Sequence, residues 1–526
     1  MLNFLKNITN SIRFGIALIA AFKNCRSPEK AAANIRQGID YRSENFIRLC
    51  DSQIFSNPCS PYMKFFEWAG YTRERLVNSI KKQGLEATLS ELAVKGVYLD
   101  IDEFKGKKPV NRPGLKMTID ASDFDIIQGA SVSLKSSGSR GPGMKTRIGI
   151  PGLNLFSSYI PVMLQYMEAQ NLPVVIFYPM PSVSGIIHLM LYTISGKPPQ
   201  AWFSQIPTRP LWRTLSGWKL LALLVGARLT GVKLPVPRYA DINHPVEMAR
   251  WLSDNCPQGA VISTFTGSAL HLVHTAEKMN IALPPLHFII GGEPVTEKKR
   301  RIIETAGHRV FPWYSCVETG RIAVGCLSPD HPDDMHLLSD RVAVVIHPRA
   351  VNSGENKRPA LLLTALHPDM YKFFLNVETG DEIVINDRSC GCPWESLGLL
   401  FHIHSLQSFE KLTLEGMSIV VDNIFQIVEE DLPERCGGSP VDYQFTEEEY
   451  PDGVTRLVLS VSPSVEMQTD KIHDLLMKIL CELPNTAFAA KYLKKASAIR
   501  VRKEFPKLTR SGKILALRNE KKENAS

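Results

Sequence analysis

The chain has 526 residues, of which 44% are hydrophobic and 22% charged, with 61 basic against 53 acidic side chains. This composition excludes a largely disordered chain, and the length predicts one large domain with at least one smaller domain beside it. A formal charge of +8 is mild for this length and, without an Arg-rich stripe between aromatic residues, gives nucleic-acid binding no support.

Residues 1–110 are predicted to be largely helical, because apolar side chains recur at three- and four-residue spacing through Tyr62–Ile80 and Leu85–Val97. The apolar run Phe14–Phe22 is too short to span a membrane, and no small-residue cleavage site follows it. We expect residues 1–25 to form an amphipathic helix that packs against the domain. Contact with a membrane through this helix is the less favoured alternative.

From about Ile119 the pattern changes to short β-rich runs that alternate with amphipathic helices, which is typical of an α/β fold. The predicted strands are Val174–Phe177, Ala260–Thr264, His287–Ile290, Arg309–Phe311 and Val342–Ile346. The predicted helices are Pro245–Asp254, Ser268–Lys278 and Glu297–Ala306. Residues 111–405 are therefore predicted to form the core of a large multi-layer α/β domain.

The composition shifts again after Glu395–His404. Leu412–Val421 and Arg456–Val461 are strand-like, and Lys471–Glu482 has the spacing of an amphipathic helix. We expect residues 406–526 to form a small, mobile C-terminal α+β domain.

A first motif, Lys135–Lys145, places three glycines, three serines and three cations in eleven residues. Glycine lets backbone amides approach a phosphate closely, and hydroxyls and cations add donors and charge. It is not a Walker loop. A flexible Ser/Gly turn is the alternative interpretation.

Four further motifs suit other parts of a nucleotide. Gly291–Pro294 follows a strand, where α/β sheets bind ligands, and Tyr314–Gly320 offers an aromatic ring and a carboxylate for a purine and Mg²⁺. Thr379-Gly-Asp381 can accept hydrogen bonds from ribose hydroxyls. Leu508–Ile514 carries Lys513 in a basic C-terminal segment. Taken singly, each is equally well explained as a turn or a solvated surface group.

In order and approximate spacing, the five motifs resemble those of the adenylate-forming superfamily, which includes acyl-CoA ligases and peptide-synthetase adenylation domains. The phenylacetate–coenzyme A ligase family looks most similar, because Gly-Gly-Glu-Pro-x-Thr-Glu is followed by an Arg-rich helix and then Tyr-x-x-x-Glu. Ser60-Pro-Tyr62 and Trp68-Ala-Gly70 add to the likeness, which runs from about residue 60 to about residue 515.

The resemblance implies a role for each motif. The phosphate loop would consist of Ser136, Ser137, Gly138, Ser139 and Gly141. Adenine would be lined by Gly292, Glu293 and Pro294 and stacked on Tyr314. Glu318 would hold Mg²⁺, Asp381 the ribose, and Lys513 would bridge the carboxylate and the α-phosphate. The acid would lie against residues 178–202 and 263–270.

The ten cysteines occur without a secretory leader, so we expect reduced thiols or metal ligands in a cytoplasmic protein. Cys390-Gly-Cys392 is similar to the Cys-x-Cys of some members of the family, which holds a structural zinc together with an upstream Cys and His. Cys326 and His336 stand at the matching places, with His331 as the rival histidine. Three thiolates and one imidazole suit closed tetrahedral Zn²⁺. The alternative is that the Cys-x-Cys pattern arises by chance and that these thiols are simply buried.

Several positions depart from the family pattern. Ser139-Arg140 replaces two threonines of the phosphate loop, an extra residue precedes Lys145, and Ser315 and Val317 replace the usual Gly and Thr. At the expected hinge, Gln407 and Phe409 replace an arginine and an aspartate. These hinge residues put the thiol-transfer step in more doubt than adenylation, because Lys513 is intact.

The resemblance implies an enzyme that uses Mg·ATP to convert a carboxylic acid to its acyl-adenylate, releasing pyrophosphate, and then transfers the acyl group to a thiol. Coenzyme A is the default thiol. The phosphopantetheine of an acyl carrier protein is the alternative acceptor. A protein that kept the fold and binds nucleotide without turnover is a second alternative, favoured by the altered positions above.

Overall fold

The N-terminal region is helical, as its apolar spacing predicts. The computed structural model describes residues 2–23, 27–126, 129–135, 145–180, 183–207, 215–316, 319–350, 357–408, 411–414, 417–483, 487–507 and 516–519. The first helices are α1 (Leu2–Ala21), α2 (Pro28–Asp40), α3 (Arg42–Cys50), α4 (Pro61–Trp68), α5 (Arg73–Gln83), α6 (Leu85–Val94) and α7 (Ile101–Phe104). Side chains of Ser27, Thr72 and Asp100 cap α2, α5 and α7 by accepting hydrogen bonds from first-turn amides.

Strands and helices alternate through the centre of the chain. The strands are β1 (Val110–Arg112), β2 (Leu115–Met117), β3 (Ser131–Lys135), β4 (Lys145–Gly149), β5 (Val174–Phe177), β6 (Ala201–Ser204), β7 (Arg238–Tyr239), β8 (Ala260–Phe265), β9 (Leu286–Gly291), β10 (Arg309–Cys316), β11 (Gly320–Gly325), β12 (Met335–Leu337), β13 (Val342–Ala350), β14 (Lys357–Ala365), β15 (Val377–Glu378), β16 (Asp381–Asp387) and β17 (Phe401–Ser408). The helices are α8 (Ile150–Ser157), α9 (Tyr159–Tyr166), α10 (Val183–Ile194), α11 (Leu215–Leu229), α12 (Val246–Asn255), α13 (Thr266–Lys278) and α14 (Glu297–Thr305).

The largest sheet within the described residues has ten strands in the order β16-β17-β12-β11-β10-β9-β8-β5-β6-β7. From β10 to β7 neighbouring strands are parallel, and from β16 to β10 they are antiparallel. Every residue of β5, β6 and β8 is buried, because helices cover both faces of the parallel part. A separate three-stranded sheet has the order β13-β14-β15.

The C-terminal part forms a small α+β unit. Its elements are β18 (Lys411–Leu414), β19 (Met417–Val420), α15 (Val421–Gln426), α16 (Leu432–Cys436), β20 (Tyr443–Glu449), β21 (Thr455–Val461), α17 (Thr469–Glu482), α18 (Ala487–Lys495), β22 (Ile499–Lys503) and β23 (Leu517–Asn519). Four of the strands form a mixed sheet in the order β22-β21-β20-β23. The predicted fold class, a large α/β domain followed by a small α+β domain, is confirmed.

One predicted element is wrong. Leu412–Val421 is not a single strand but a hairpin of β18 and β19, in which Leu414 pairs with Met417, and α15 begins at Val421. A Gly after Glu415 between two apolar runs is a hairpin signal. The predicted domain boundary at 405–406 lies within β17, which continues to Ser408; the division into domains stays a prediction.

The small unit contacts the large one through hydrogen bonds and through apolar packing, in which Val454 joins a core cluster with Val295 and Ile303. The Tyr492 hydroxyl donates to the Gln205 side chain. The Asn243 side chain donates to the Lys495 carbonyl at 2.6 Å, and the Lys495 ammonium lies 2.9 Å from Asp241. The contact of α18 with the large unit is therefore polar.

The N-terminal helix packs on the large unit. The Asn10 side chain donates to the carbonyl of Ser131 in β3 at 2.8 Å, and Phe14, Leu18 and Phe22 are buried. Across the described part of the chain, no helix is long and apolar enough to cross a membrane.

Candidate active site

Tyr314 and Asp381 are far apart in the sequence but joined in the structure. The Tyr314 hydroxyl donates a 2.6 Å hydrogen bond to Asp381 Oδ2, and both side chains are buried. The Asp381 amide donates to Thr379 Oγ1 at 3.2 Å, which fixes the turn before β16. Burial, together with the Asp381 carboxylate, raises the pKa of Tyr314 well above its ordinary value, so the phenol stays protonated and donates.

The Gly-Gly-Glu-Pro motif lies beside Tyr314 because β9 and β10 are parallel neighbours, with Ile290 opposite Pro312. A Cβ on Gly291 would lie 2.1 Å from the Trp313 ring, so only glycine fits there. Gly292 has φ of +81°, in the left-handed region that glycine favours. Both glycines therefore bring backbone close to β10 at the carboxyl ends of the parallel strands, the usual ligand edge of such sheets.

The remainder of this turn is anchored. Thr266 Oγ1 donates to the Glu293 carbonyl at 3.4 Å, and Lys299 Nζ donates to the Pro294 carbonyl at 3.3 Å. Thr296 caps α14 by accepting from the Lys299 amide. The register of β10 against β11 shifts between Tyr314 and Ser315, a bulge of the kind common beside ligand sites.

Other predicted site residues lie outside the described residues. These are the phosphate-loop residues Ser136, Ser137, Gly138, Ser139 and Gly141, and also Glu318 and Lys513. The chain enters and leaves the phosphate loop through β3 and β4, which pair antiparallel with Lys135 opposite Lys145. Glu318 belongs to the connection between Cys316 and Gly320, which are paired across β10 and β11.

A cation buried among aromatic rings, which the sequence analysis missed, adjoins the end of β10. The Arg321 guanidinium lies 4.0 Å from the centre of the Trp313 ring. The His188 ring is 4.9 Å from Trp313 and stacks on Tyr178 at 4.4 Å. The Tyr178 hydroxyl lies 3.2 Å from Ser263 Oγ. Three of these residues lie in the segments that the resemblance assigns to the acid.

Two polar groups of this Arg321 cluster are unsatisfied. Arg321 is 5% exposed, and its Nη1 has no hydrogen-bond partner among the residues described. The fully buried Tyr192 hydroxyl also has none there, and it is close enough to Arg321 for each group to affect the pKa of the other. Burial lowers the pKa of Arg321 to about 10, so it remains charged at neutral pH. Burial lowers the pKa of His188 to about 3, so that ring is neutral. A buried cation with no described counterion is costly unless a ligand supplies one.

Cysteines and histidines converge where β11, β12 and β17 meet. One ligand atom from each of Cys326, His336, Cys390 and His402 lies within 4.8 Å of the others. Cys392 also belongs here, since its Sγ lies 3.1 Å from His336 Nε2. The structure thus brings together all four predicted metal ligands and adds His402.

Both histidines present the same nitrogen to the cluster. His336 Nδ1 lies 2.7 Å from the Leu399 carbonyl, and His402 Nδ1 lies 2.8 Å from Asp334 Oδ1. Because both partners are acceptors, each proton is on Nδ1 and each Nε2 carries a lone pair. His402 Nε2 is buried without a hydrogen-bond partner in the described part of the molecule. This second-layer arrangement is typical of metal-binding histidines.

The surrounding charges fit the same interpretation. Burial raises the pKa of Asp334, but hydrogen bonds from His402 and Arg388 outweigh it and hold that pKa below its usual range. A hydrogen bond shared with Cys326 lowers the pKa of the Cys392 thiol. The rival His331 is exposed and stacks on His404 with ring centres 3.7 Å apart.

At the predicted hinge, Gln407 lies in β17 opposite Glu382 of β16, and Phe409 lies outside the described residues. The main chain at Gln407 is therefore part of the large sheet.

Comparison with known proteins gives structural likeness only. No protein-family model matches the sequence, and no curated protein matches it. The structure is similar to an AMP-forming acyl-CoA synthetase/AMP-acid ligase II-like protein from Dyadobacter fermentans, at 14% identity and a TM-score of 0.29, over 73% of this chain and 87% of that one.

It is also similar to an artificially fused adenylation–PCP di-domain from Klebsiella oxytoca, at 13% identity and a TM-score of 0.36, over 63% of this chain and 55% of that one. A third is the acetoacetyl-CoA synthetase from Streptomyces lividans, at 14% identity and a TM-score of 0.32, over 77% of this chain and 56% of that one. Likeness at this level assigns no activity to the chain, and the roles of its residues depend on their own geometry.

Proposed function

We propose that the chain activates a carboxylic acid with Mg·ATP as the acyl-adenylate and then transfers the acyl group to a thiol. The observation that carries the proposal is the buried Tyr314–Asp381 pair beside Gly291–Gly292. Three motifs that are separated in the sequence meet at one sheet edge, in the order that the adenylate-forming resemblance implies. A chance collection of turns has no reason to converge there.

In the proposed reaction a carboxylate oxygen attacks the α-phosphate of ATP and pyrophosphate leaves. Tyr314 and the backbone of Gly292, Glu293 and Pro294 would bind adenine, and Asp381 would accept hydrogen bonds from the ribose. Lys513 and the phosphate loop would neutralise charge that develops on the phosphates, which is the main catalytic contribution in such transfers. Mg²⁺ held by Glu318 would supply further charge neutralisation.

The Arg321 cluster supports a narrower substrate class. An acid that carries a second acceptor, most simply a second carboxylate, would satisfy both Arg321 Nη1 and the Tyr192 hydroxyl. The flat surfaces of His188 and Trp313 favour a planar acid between those groups and the nucleotide. We therefore include aromatic dicarboxylic acids in the proposal.

A structural zinc ion is part of the proposal. A tetrahedral zinc with ordinary bond lengths places a nitrogen and a sulfur ligand about 3.6 Å apart, and Cys390 Sγ lies 3.6 Å from His336 Nε2. The unpartnered Nε2 of His402 and the proton positions on both rings suit the same ion. Zinc would join β11, β12 and β17 and take no part in the reaction.

The thiol acceptor has two candidates, coenzyme A and the phosphopantetheine of an acyl carrier protein. Coenzyme A is the default, and the altered hinge residues Gln407 and Phe409 count towards the carrier protein. The same residues also support a third function, nucleotide binding without turnover. A cytoplasmic location is proposed with the enzyme.

The test is acid-dependent release of pyrophosphate by the purified protein with Mg·ATP and a panel of aryl, fatty and dicarboxylic acids. We expect release with at least one acid and its loss in Lys513→Ala, while Lys507→Ala serves as a nearby control. Adding coenzyme A or a carrier protein then identifies the acceptor. Tight ATP binding without release from any acid would establish the non-catalytic function instead.

A further inference from the structure

Helices α1 and α11 pack against each other and leave apolar side chains in solvent. At their contact, a Cβ on Gly226 of α11 would lie 2.3 Å from Ile19 Cδ1 of α1, so the helices approach closely. On the outer side of α1, Ile12 and Ile16 are 58% and 65% exposed. Because they are four residues apart, they share one face of the helix.

Helix α11 shows the same feature more strongly. Trp218, Val225 and Leu229 are 55%, 54% and 84% exposed, and their spacing of seven and four residues places them on one face. Leu220 and Ala227, on the opposite side, are buried. We call Ile12, Ile16, Trp218, Val225 and Leu229 the apolar face.

Every charged side chain in the two segments that carry the apolar face is positive. Residues 1–28 and 207–240 contain no Asp or Glu at all. Their cations are Lys6, Arg13, Lys23, Arg26, Arg209, Arg213, Lys219, Arg228, Lys233 and Arg238. The whole chain has 61 basic and 53 acidic residues, so this separation is not a general property of its surface. Exposed apolar residues flanked by cations are typical of helices that lie on anionic membranes.

We propose that the apolar face docks onto a membrane surface that contains anionic phospholipid. A second copy of the chain is a poor occupant, because a two-fold interface would bring two acid-free cationic segments together. An anionic surface complements the exposed cations that the structure describes, which are Arg13, Lys23, Arg228, Lys233 and Arg238, and it accepts apolar side chains between its headgroups. The proposal is independent of the reaction that the chain catalyses.

The experiment is flotation of the full-length protein with vesicles of phosphatidylcholine alone and of phosphatidylcholine with about one third phosphatidylserine. We expect binding to the anionic vesicles that weakens with salt. Ile16→Ser with Leu229→Ser should weaken it by about tenfold or more. Arg228→Glu with Lys233→Glu should weaken it at least about tenfold, at roughly fivefold for each cation lost.

Matched controls separate docking from general effects. Val94→Ser changes a side chain that is 76% exposed on α6, and Lys82→Glu changes one exposed cation on α5; both should bind like the wild type. Because the substituted positions are exposed, the variants should have the same melting temperature as the wild type. Absence of wild-type binding to anionic vesicles would refute the proposal, as would equal binding by the serine double variant. So would a stable dimer in solution that the serine double variant breaks apart.

Discussion

At the residue scale, Tyr314 connects two strands of the large sheet through a single hydrogen bond. Removing its hydroxyl leaves the buried Asp381 carboxylate without one donor, which should weaken the proposed hold of Asp381 on the ribose. We expect Tyr314→Phe to raise the KM for ATP about tenfold with little change in kcat, because the lost bond to a charged group acts on binding. The measurement is pyrophosphate release against ATP concentration.

Tyr443→Phe is the matched control for that experiment. Tyr443 is also buried and its hydroxyl also donates, but to the Gly437 carbonyl in the small unit. An unchanged KM in Tyr314→Phe, or an equal increase in Tyr443→Phe, would contradict the assignment of Tyr314 to the nucleotide site.

Replacing Arg321 should increase the stability of the protein and decrease its specificity for the acid. Arg321→Met removes a buried charge that has no described counterion and keeps most of the side-chain volume, so we expect the free energy of unfolding to rise by about 1–2 kcal/mol. The same variant should lose about 10- to 100-fold in its preference for benzene-1,4-dicarboxylic acid over benzoic acid. Both values follow from urea unfolding and pyrophosphate release.

Comparing the two acids distinguishes binding of a second carboxylate by Arg321 from binding of the reacting carboxylate. If Arg321 held the reacting carboxylate, the variant would lose activity with both acids equally. Tyr192→Phe deletes the second unsatisfied group with less disturbance and should shift the acid preference in the same direction. Unaltered preference in both variants would remove the dicarboxylic acid from the proposal without affecting adenylation itself.

His188 makes stability depend on pH. The unfolded chain protonates this histidine near 6.5, whereas burial lowers its pKa to about 3 in the folded protein. Between these values the unfolded state holds more protons, so the free energy of unfolding decreases as the pH falls. We expect the wild type to lose about 2 kcal/mol more than His188→Asn between pH 7 and pH 5. Urea unfolding at the two pH values measures the difference.

The asparagine side chain retains a donor for the Ser184 carbonyl, which His188 Nδ1 contacts at 2.7 Å. His473→Asn, at a histidine in the C-terminal unit, is the control for the loss of a histidine in general. Parallel pH curves for the wild type and His188→Asn would contradict the burial argument.

At the element scale, the Cys/His cluster joins β11, β12 and β17 with the segment between β16 and β17. We expect the purified protein to contain about one zinc per chain, and a chelator or Cys390→Ser to lower the melting temperature by several degrees, because a closed site contributes directly to folding. Elemental analysis and thermal unfolding are the measurements. Cys59→Ser, at an exposed cysteine outside the cluster, is the control.

Either Cys392 or His402 would be the fourth ligand beside Cys326, His336 and Cys390. The four mutually close ligand atoms include His402, so we expect His402→Ala to lose zinc and Cys392→Ser to retain most of it. The reverse result would restore the set implied by the resemblance. Retention of zinc after Cys390→Ser would show that the zinc is not bound at this cluster.

Helices and strands were predicted correctly from the sequence where burial gives their apolar residues a recognisable spacing. The fully buried run Val174–Phe177 is β5 to the residue, and the amphipathic Lys471–Glu482 lies within α17. The hairpin at 411–420 was missed because each of its strands has only four residues, and the Glu-Gly pair between them was not recognised as a turn. Arg321 and His402 were missed for another reason: neither lies in a motif, and their importance arises only from partners distant in the chain.

At the scale of the whole molecule, α18 of the small unit is joined to the large unit by polar contacts. The Lys495–Asp241 ion pair is partly exposed and should contribute less than about 1 kcal/mol. We expect Asp241→Asn with Tyr492→Phe to change the melting temperature by only a few degrees. If the small unit turns between the two proposed half-reactions, the rates of pyrophosphate release and thiol transfer should instead change by different factors.

Separate stopped assays of the two half-reactions make that comparison. Lys494→Ala with Asp474→Asn, an exposed pair inside the small unit, is the control. Equal changes in both half-reactions would show that these contacts hold the fold and not an orientation of the units.

The segment that contains α11 is bounded on both sides by residues that contact the small unit. Gln205 stands just before the cationic segment 207–240 and Asp241 just after it, and both bind the small unit. A force on α11 from a lipid surface would therefore act on the anchors of α18. Thermodynamic linkage is reciprocal, so an orientation of the small unit that strengthens lipid binding must itself be strengthened by lipid. Turnover and residence on the bilayer would then regulate each other without a dedicated effector site.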